Sequence, residues 1–581
     1  MLLRRFATVA YAVVLTLVPA HAAAASTRFV DANLATGAND GSTWANAFQG
    51  AGGLQSALAL ATSGDEIWVA DGRYLPSTTL VRTVAFDLKS GVAILGGFAG
   101  GETLASQADP VANVAILSGD LAGDDLPNGP VSENSIHVVR GAQADATAVL
   151  DGFVVEAGNA NVAGGDQDRG GGMLMTAGSN ATIRRCIVRK NRCTFGGGAG
   201  YIRGSQPSFT DCRFEDNLGS SFGGAFDMAN NGSATFERCT FRNNSAARGG
   251  GVEIFASASK LSNCLFTGNM SVGAGGGGAI WIGSGSTPLI RNCTIAGNQS
   301  LVSIVAGILS SGSTVDIANS IVFSNVGPGG VDSPGNQLAG STLNVRYSCV
   351  TGGFAGAGNT SGPPKFVDVL SGDYRVRVGS PCVDAGDNTA MVAGVALDLS
   401  GNARFVDHPA AGDVGSGAAP LVDMGAYETV PQPVTAFCFG DGSELPCPCA
   451  NEVPLGTNSG CKNWSGVGGV LQATGNPSLA ADSVVLTASS LTGASALFAQ
   501  GTRPAQIAID DGQSCINGTL VRLGMFAVSG GSSTLSASAA ALGGVFAPGA
   551  RFYQVHYRDG LGVCTTPTTN RTNGVAVIWV P

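Results

Sequence analysis

The chain has 581 residues, 87 of them glycine, with charged side chains at only 12%. That length suits several domains, and a composition rich in glycine and poor in charge suits repeated turns rather than helices. A formal net charge of −10 with a sequence pI near 4.9 argues against nucleic acid as a partner and mainly implies solubility.

Residues 1–24 read as an export signal. Arg4 and Arg5 supply the basic start, Phe6 to Leu17 the apolar run, and Ala20-His21-Ala22 or Ala22-Ala23-Ala24 the cleavage site. No later stretch is long and apolar enough to span a membrane as a helix, and no C-terminal sorting tail is seen. The expected location is therefore secreted, or peripherally attached to the outer surface of the cell. Residues 25–62 read as an entry strand at Arg28 to Asp31 and an amphipathic helix at about Gly53 to Ala61. Leu54, Leu58 and Ala61 share one face of that helix, which predicts a cap over an open sheet end.

A coil is expected over residues 63–430. Glu66 to Ala70 gives its first strand, followed less regularly by Val92 to Gly97, Val114 to Leu117, Ile136 to Val139 and Val149 to Val155. From Ile183 to Asn325 the pattern becomes strict: apolar-x-x-Cys-x-apolar-x-x-Asn. Cys186, Cys212, Cys239, Cys264 and Cys293 recur with steps of 26, 27, 25 and 29, and Ser320 takes the sixth place. Asn191, Asn217, Asn244, Asn269, Asn298 and Asn325 each follow five residues later. A period of this length means a solenoid, and short β-branched and aromatic runs between Gly, Asn and Ser mean strands and turns. Alternation sends Ile183, Phe209, Phe236, Leu261, Ile290 and Ile317 inward, together with Val188, Phe214, Phe241, Phe266, Ile295 and Val322. The cysteines fill the space between as small, reduced hydrophobes, since no C-x2-4-C pairing for zinc exists among them. The asparagines are expected to bond turn backbone and one another up the stack.

This pattern resembles the right-handed parallel β-helix repeat proteins of bacterial surfaces, including the repeats of polymorphic outer-membrane proteins. Phe29-Val30-Asp31, Asp40-Gly41-Ser42 with Trp44, and Gly96-Gly97-Phe98 resemble the opening of such proteins. Phe366-Val367-Asp368, Gly379-Ser380-Pro381-Cys382, Asp384-Ala385-Gly386 and Asp423-Met424-Gly425-Ala426-Tyr427-Glu428 resemble their C-terminal closure. Pro431 to Pro433 open a linker over 431–436.

Residues 437–581 hold six cysteines: Cys438, Cys447, Cys449, Cys461, Cys515 and Cys564. In an exported protein an even number implies three disulfides, here expected as Cys515 with Cys564 and the other four among themselves. Strand-like runs at Ser483 to Ala488, Val521 to Val528, Phe552 to Arg558 and Val575 to Val580 suggest an antiparallel sandwich. This part is similar to a C-terminal module that recurs in large exported proteins of environmental bacteria. The fold class expected is all-β: a right-handed parallel β-helix with an N-terminal helical cap, then a small disulfide-bonded β-sandwich-like domain.

Signals of catalysis are sparse. Neither G-x-S-x-G nor H-E-x-x-H occurs. The Gly-His-Gly element of β-helix polygalacturonases is missing, and the Asp cluster with a basic residue used by calcium-dependent pectate lyases cannot be assembled. One column remains, pointing away from the core: Leu174, Tyr201, Asp227, Glu253 and Trp281. Asp227 and Glu253 on adjacent rungs would stand about 5 Å apart, the retaining spacing of glycosidases, flanked by aromatics able to stack on sugar. They are the candidate catalytic pair, and Tyr201, Asp227, Glu253 and Trp281 the candidate ligand-binding set; the plainer reading is a mixed solvent face. Arg185, Asp211 and Arg238, with Arg189, Glu215 and Arg242, read as charge ladders of structural value. Asp120, Asp124 and Asp125, or Asp166 and Asp168, sit in acidic Gly-flanked loops of the kind calcium takes; no other cofactor is expected.

The expectation is an exported, non-enzymatic, monomeric protein for adhesion or for binding polysaccharide or cell-surface glycan. The alternatives are a polysaccharide lyase or glycoside hydrolase working on the outward face, and a passive spacer displaying the terminal module.

Overall fold

A computed structural model describes residues 25–125, 130–330, 332–443, 445–559 and 569–581. Residues 1–24, expected to be an export signal, and Cys564 lie outside them.

The coil is a parallel β-helix. One wall is a ten-stranded sheet running from Gly72–Tyr74 to Cys349–Val350, a second carries two strands per coil, and a third has six short strands, from Asn159–Ala160 to Gln299–Ser300. A representative coil runs Gly200–Arg203, Ser208–Thr210, Arg213–Glu215 and Leu218–Gly219. Each strand pairs in parallel with its counterpart one coil on, as in Phe209 with Phe236 and Phe214 with Phe241.

The columns follow the side-chain alternation. Phe209 stacks on Phe236 at 5.0 Å between ring centroids, and Phe241 on Phe266 at 4.2 Å. Cys186, Cys212, Cys239, Cys264 and Cys293 are free, buried and part of one core. Each donates its S–H to the carbonyl two residues earlier at 3.2 to 3.4 Å. Ser320 continues this role, bonding Ala318 O at 2.9 Å, and so does Ser348, bonding Arg346 O at 2.9 Å. Burial pushes the Cys186, Cys239 and Cys293 thiols well above their ordinary range.

The asparagines form a continuous ladder. Asn191 Nδ2 donates to Asn217 Oδ1 at 3.1 Å, and the same bond repeats through Asn244, Asn269 and Asn298 to Asn325. The last amide donates to Gln337 Oε1 at 2.8 Å, which terminates the ladder. The corner before each cysteine is left-handed: Arg185, Asp211, Arg238, Asn263, Asn292 and Asn319 have φ of 51, 56, 50, 53, 49 and 53°. Such a corner favours Asn, whose short amide suits that conformation.

The helix Gly53–Leu60 buries Leu54, Ala57 and Leu58 in the same core as Val30, Phe48 and Ile67, closing the N-terminal end. The coil starts earlier than Glu66: Thr27–Asp31 already pairs in parallel with Glu66–Ala70. At the other end the rungs stop at Val350, and residues 363–430 return along the side of the solenoid. Asn263, Asn292 and Asn319, three successive left-handed corners, donate their amides to Leu397 O, Asp423 O and Asp387 O at 2.7, 3.2 and 2.9 Å. The closing segment is thus fastened corner by corner.

The C-terminal domain contains antiparallel sheets of six and three strands and a two-stranded hairpin. Leu471, Leu486, Phe498, Leu535, Val555 and Trp579 join the two larger sheets in one core. Val434–Phe437 pairs with Gly574–Trp579, so the linker ends at 433 rather than 436. The disulfides correct the expected pairing: Cys515 bonds Cys438, and Cys447 bonds Cys461. Cys449 is also disulfide-bonded. The reason is topological: the left-handed Cys438 ends the strand Val434–Phe437 and packs in one core with Cys515.

Candidate functional site

Strands Gly200–Arg203, Phe226–Ala229, Val252–Phe255 and Ile280–Gly283 align Tyr201, Asp227, Glu253 and Trp281 in one column, pointing away from the core. The expected open face is nevertheless not there. Asp227 and Glu253 are each 2% exposed, Tyr201 1% and Trp281 8%. The glycine runs fold back across this wall. A Cβ on Gly196 would stand 2.2 Å from Asp227 Oδ2, so only glycine lets the chain pass over that carboxylate.

The cover is a second ladder. The Arg169 guanidinium lies 3.9 Å from the Phe195 ring centre and 4.9 Å from that of Tyr201. Phe195 meets Phe222 edge-on at 4.9 Å. Arg248 lies 4.4 Å from the Phe222 ring centre and 3.8 Å from that of Trp281. The two arginines also reach the carboxylates beneath. Arg248 grips Glu253 through both oxygens at 2.5 and 3.1 Å, and Arg169 stands 3.6 Å from Asp227. Burial, reinforced by Glu253, pushes the Asp227 carboxyl up to about 8, and burial raises Glu253 against the pull of Arg248. The arrangement shares buried charge between paired ions and aromatic faces, and the rings a sugar would need are already taken by guanidinium groups. The sequence does carry the signal. Arg169, Phe195, Phe222 and Arg248 each stand directly before Gly-Gly, at steps of 26, 27 and 26.

The charge ladders are structural, with several exchanges of partner. Arg238 holds Asp211 through both oxygens at 2.7 and 2.9 Å, whereas Arg185 turns to Asp151 at 2.6 Å. In the second ladder Arg189 pairs with Glu156 at 2.9 Å and Glu215 with Arg213 at 2.7 Å. Of the calcium candidates, Asp120, Asp124 and Asp125 converge with Glu133, a residue not among those expected from sequence, their carboxylate oxygens lying within 4.8 Å of one another. Arg73 takes one oxygen of Asp120 at 2.6 Å. Burial raises the Asp124 and Asp125 carboxyls, with Asp120 and Glu133 adding repulsion to both. This all-oxygen donor set suits a hard cation. Asp166 and Asp168 stand apart from it, paired with Arg203 at 2.6 Å and Arg169 at 3.5 Å.

A further opening, not foreseen from sequence, lies where the closing segment meets the C-terminal domain. It is a cleft of about 610 Å³. Asp368, Arg375 and His408 line one side, and Gln432, Thr435 and Asn458 the other. It brings hydrogen-bond donors and acceptors from two domains to one concave surface, the common setting for a ligand site.

Residues 130–276 match the family model described as right handed beta helix region. This stretch is a right-handed β-helix. Comparison with curated proteins returns no match. Among solved structures, one described as pectate lyase Pel9A aligns with a TM-score of 0.38 and 12% identity, covering 70% of this chain and 96% of that one. So distant a likeness carries no inference about activity. Among the described residues no helix is long and apolar enough to cross a membrane.

Proposed function

We propose that this is an exported β-helix protein of the cell surface or extracellular space that binds polysaccharide without cleaving it. The observation that carries this reading is the interdomain cleft, whose size falls within the range of ligand pockets and whose lining of amides, hydroxyl, arginine and carboxylate matches sugar hydroxyl groups. Two further points support it. The disulfides Cys438–Cys515 and Cys447–Cys461 suit an oxidising compartment. The one carboxylate pair with glycosidase-like spacing is buried under arginine and aromatic side chains, which disfavours hydrolysis there.

The test is a panel of neutral and acidic polysaccharides, scored for retention and for release of reducing ends or unsaturated uronates. The reading expects retention without product. It also expects loss of retention on changing Gln432→Ala with Asn458→Ala, both exposed, and none on changing Asp227→Asn. Product release, or retention indifferent to the cleft variant, would refute it.

A further inference from the structure

A second convergence of carboxylates lies in the closing segment. Oxygens of Asp384, Asp407 and Asp413 fall within 4.8 Å of one another. Asp407 and Asp413 are exposed on the loop, while Asp384 is 0% exposed. Its two oxygens fare differently. Oδ2 accepts from His408 N at 3.2 Å, but Oδ1, equally buried, has no hydrogen-bond donor. A buried carboxylate oxygen left without a donor is costly, and such an atom calls for a partner.

Among the described residues no cation pairs with Asp384. Asp423 lies alongside, its Oδ1 accepting from Asp384 N at 2.8 Å. The buried Arg404 turns to Glu428 at 3.5 Å and to Asp423 O at 2.8 Å. Burial, then Asp423, Asp407 and Asp413, pushes the Asp384 carboxyl up to about 7.

We propose that Asp384, Asp407 and Asp413 bind one calcium ion. The donors are all carboxylate oxygens, the choice of a hard cation. His408 Nδ1 accepts from Ala410 N at 3.3 Å, and no histidine nitrogen is among the atoms that converge here, so the nitrogen or sulfur ligands zinc prefers are not part of the cluster. One ligand is fixed in the interior and two come from an exposed loop, which suits the flexible shell of calcium, completed by water, better than the strict octahedron of magnesium. The ion ties the loop to the turn Asp384-Ala385-Gly386, and with it His408, which lines the interdomain cleft. This inference does not depend on what the cleft binds.

The test is calorimetric titration of calcium chloride into the full disulfide-bonded protein after chelator treatment, with magnesium chloride as control. Wild type is compared with Asp407→Asn/Asp413→Asn, and with Asp124→Asn/Glu133→Gln to account for the N-terminal cluster. The expected result is one calcium equivalent that loses at least tenfold in affinity in Asp407→Asn/Asp413→Asn and is retained in the other variant. Melting of the calcium-free forms shows that the Asp407→Asn/Asp413→Asn variant is folded. No calcium binding at millimolar concentration, or binding abolished only in Asp124→Asn/Glu133→Gln, overturns the assignment.

Discussion

Replacing Asn244 by alanine tests the asparagine ladder at its centre. The Asn244 amide donates to Asn269 Oδ1 at 2.9 Å and to Phe214 O at 2.8 Å. Its oxygen accepts from Asn217 N at 3.1 Å and Asn217 Nδ2 at 3.0 Å. Alanine removes all four bonds in a site that is 0% exposed. Two of the groups left behind keep another partner, for Asn217 Nδ2 still reaches Val188 O at 2.9 Å and Asn269 Oδ1 still accepts Asn244 N at 3.1 Å. Asn217 N and Phe214 O lose the partner named here. Three bonds lost at about 1 kcal/mol each, Phe214 O keeping its place in the strand ladder, and one buried N–H stripped at about 1–3 kcal/mol give roughly 4–6 kcal/mol. Repeat proteins open locally, so the assay is native-state hydrogen exchange of amides in residues 209–244 beside urea unfolding. Exchange should quicken in the coils flanking Asn244 and leave the C-terminal domain unchanged. A loss below about 1 kcal/mol, with exchange unaltered, would refute the ladder as a source of stability.

Other outcomes follow from the same structure. Cys212, Cys239 and Cys264 should resist a thiol reagent in the folded protein and react on unfolding, and rapid labelling of the native form would contradict their burial. The Asp227 carboxyl, ordinarily near 3.8, sits at about 8 in the fold, so the native state keeps a proton that the unfolded chain has released. Stability should therefore decline as pH rises from about 4 to about 8 and level off above. Asp227→Asn should remove that part of the decline, so that its melting curve parallels wild type only outside this window; parallel behaviour throughout would contradict the shift. Lys190, exposed and held at φ 54°, should give a more stable protein as Lys190→Gly by up to about 1 kcal/mol in urea unfolding. Peptide mapping without reduction should recover Cys438 joined to Cys515 and Cys447 joined to Cys461, and a Cys515–Cys564 peptide would contradict the fold of the terminal domain.

The solenoid was legible because each coil reuses the same corners. A left-handed residue precedes each of Cys186, Cys212, Cys239, Cys264 and Cys293, and a five-residue step later an amide must reach the next coil, so the chain repeats Cys and Asn at fixed spacing. The in-register column of Tyr201, Asp227, Glu253 and Trp281 was legible for the same reason. Its burial was not, because alternation tells which way a side chain points and says nothing of what crosses above it. That path is set by glycines in the left-handed region, Gly197 at φ 77°, Gly223 at 51° and Gly249 at 64°, which turn the chain back over the wall. The residue before each Gly-Gly held the missing information. Glu133 was not legible as a partner of Asp120 because residues 126–132 separate it from the other acids in sequence. The cleft is made by two domains meeting, which no local pattern encodes.

The claim that matters most is where a ligand sits. Hydrogen exchange of the full protein with and without a retained oligosaccharide locates it. The account predicts protection within residues 366–378, 432–439 and 456–458, and none across 195–203, 222–229 and 248–255. Protection confined to those three glycine-covered stretches would contradict it.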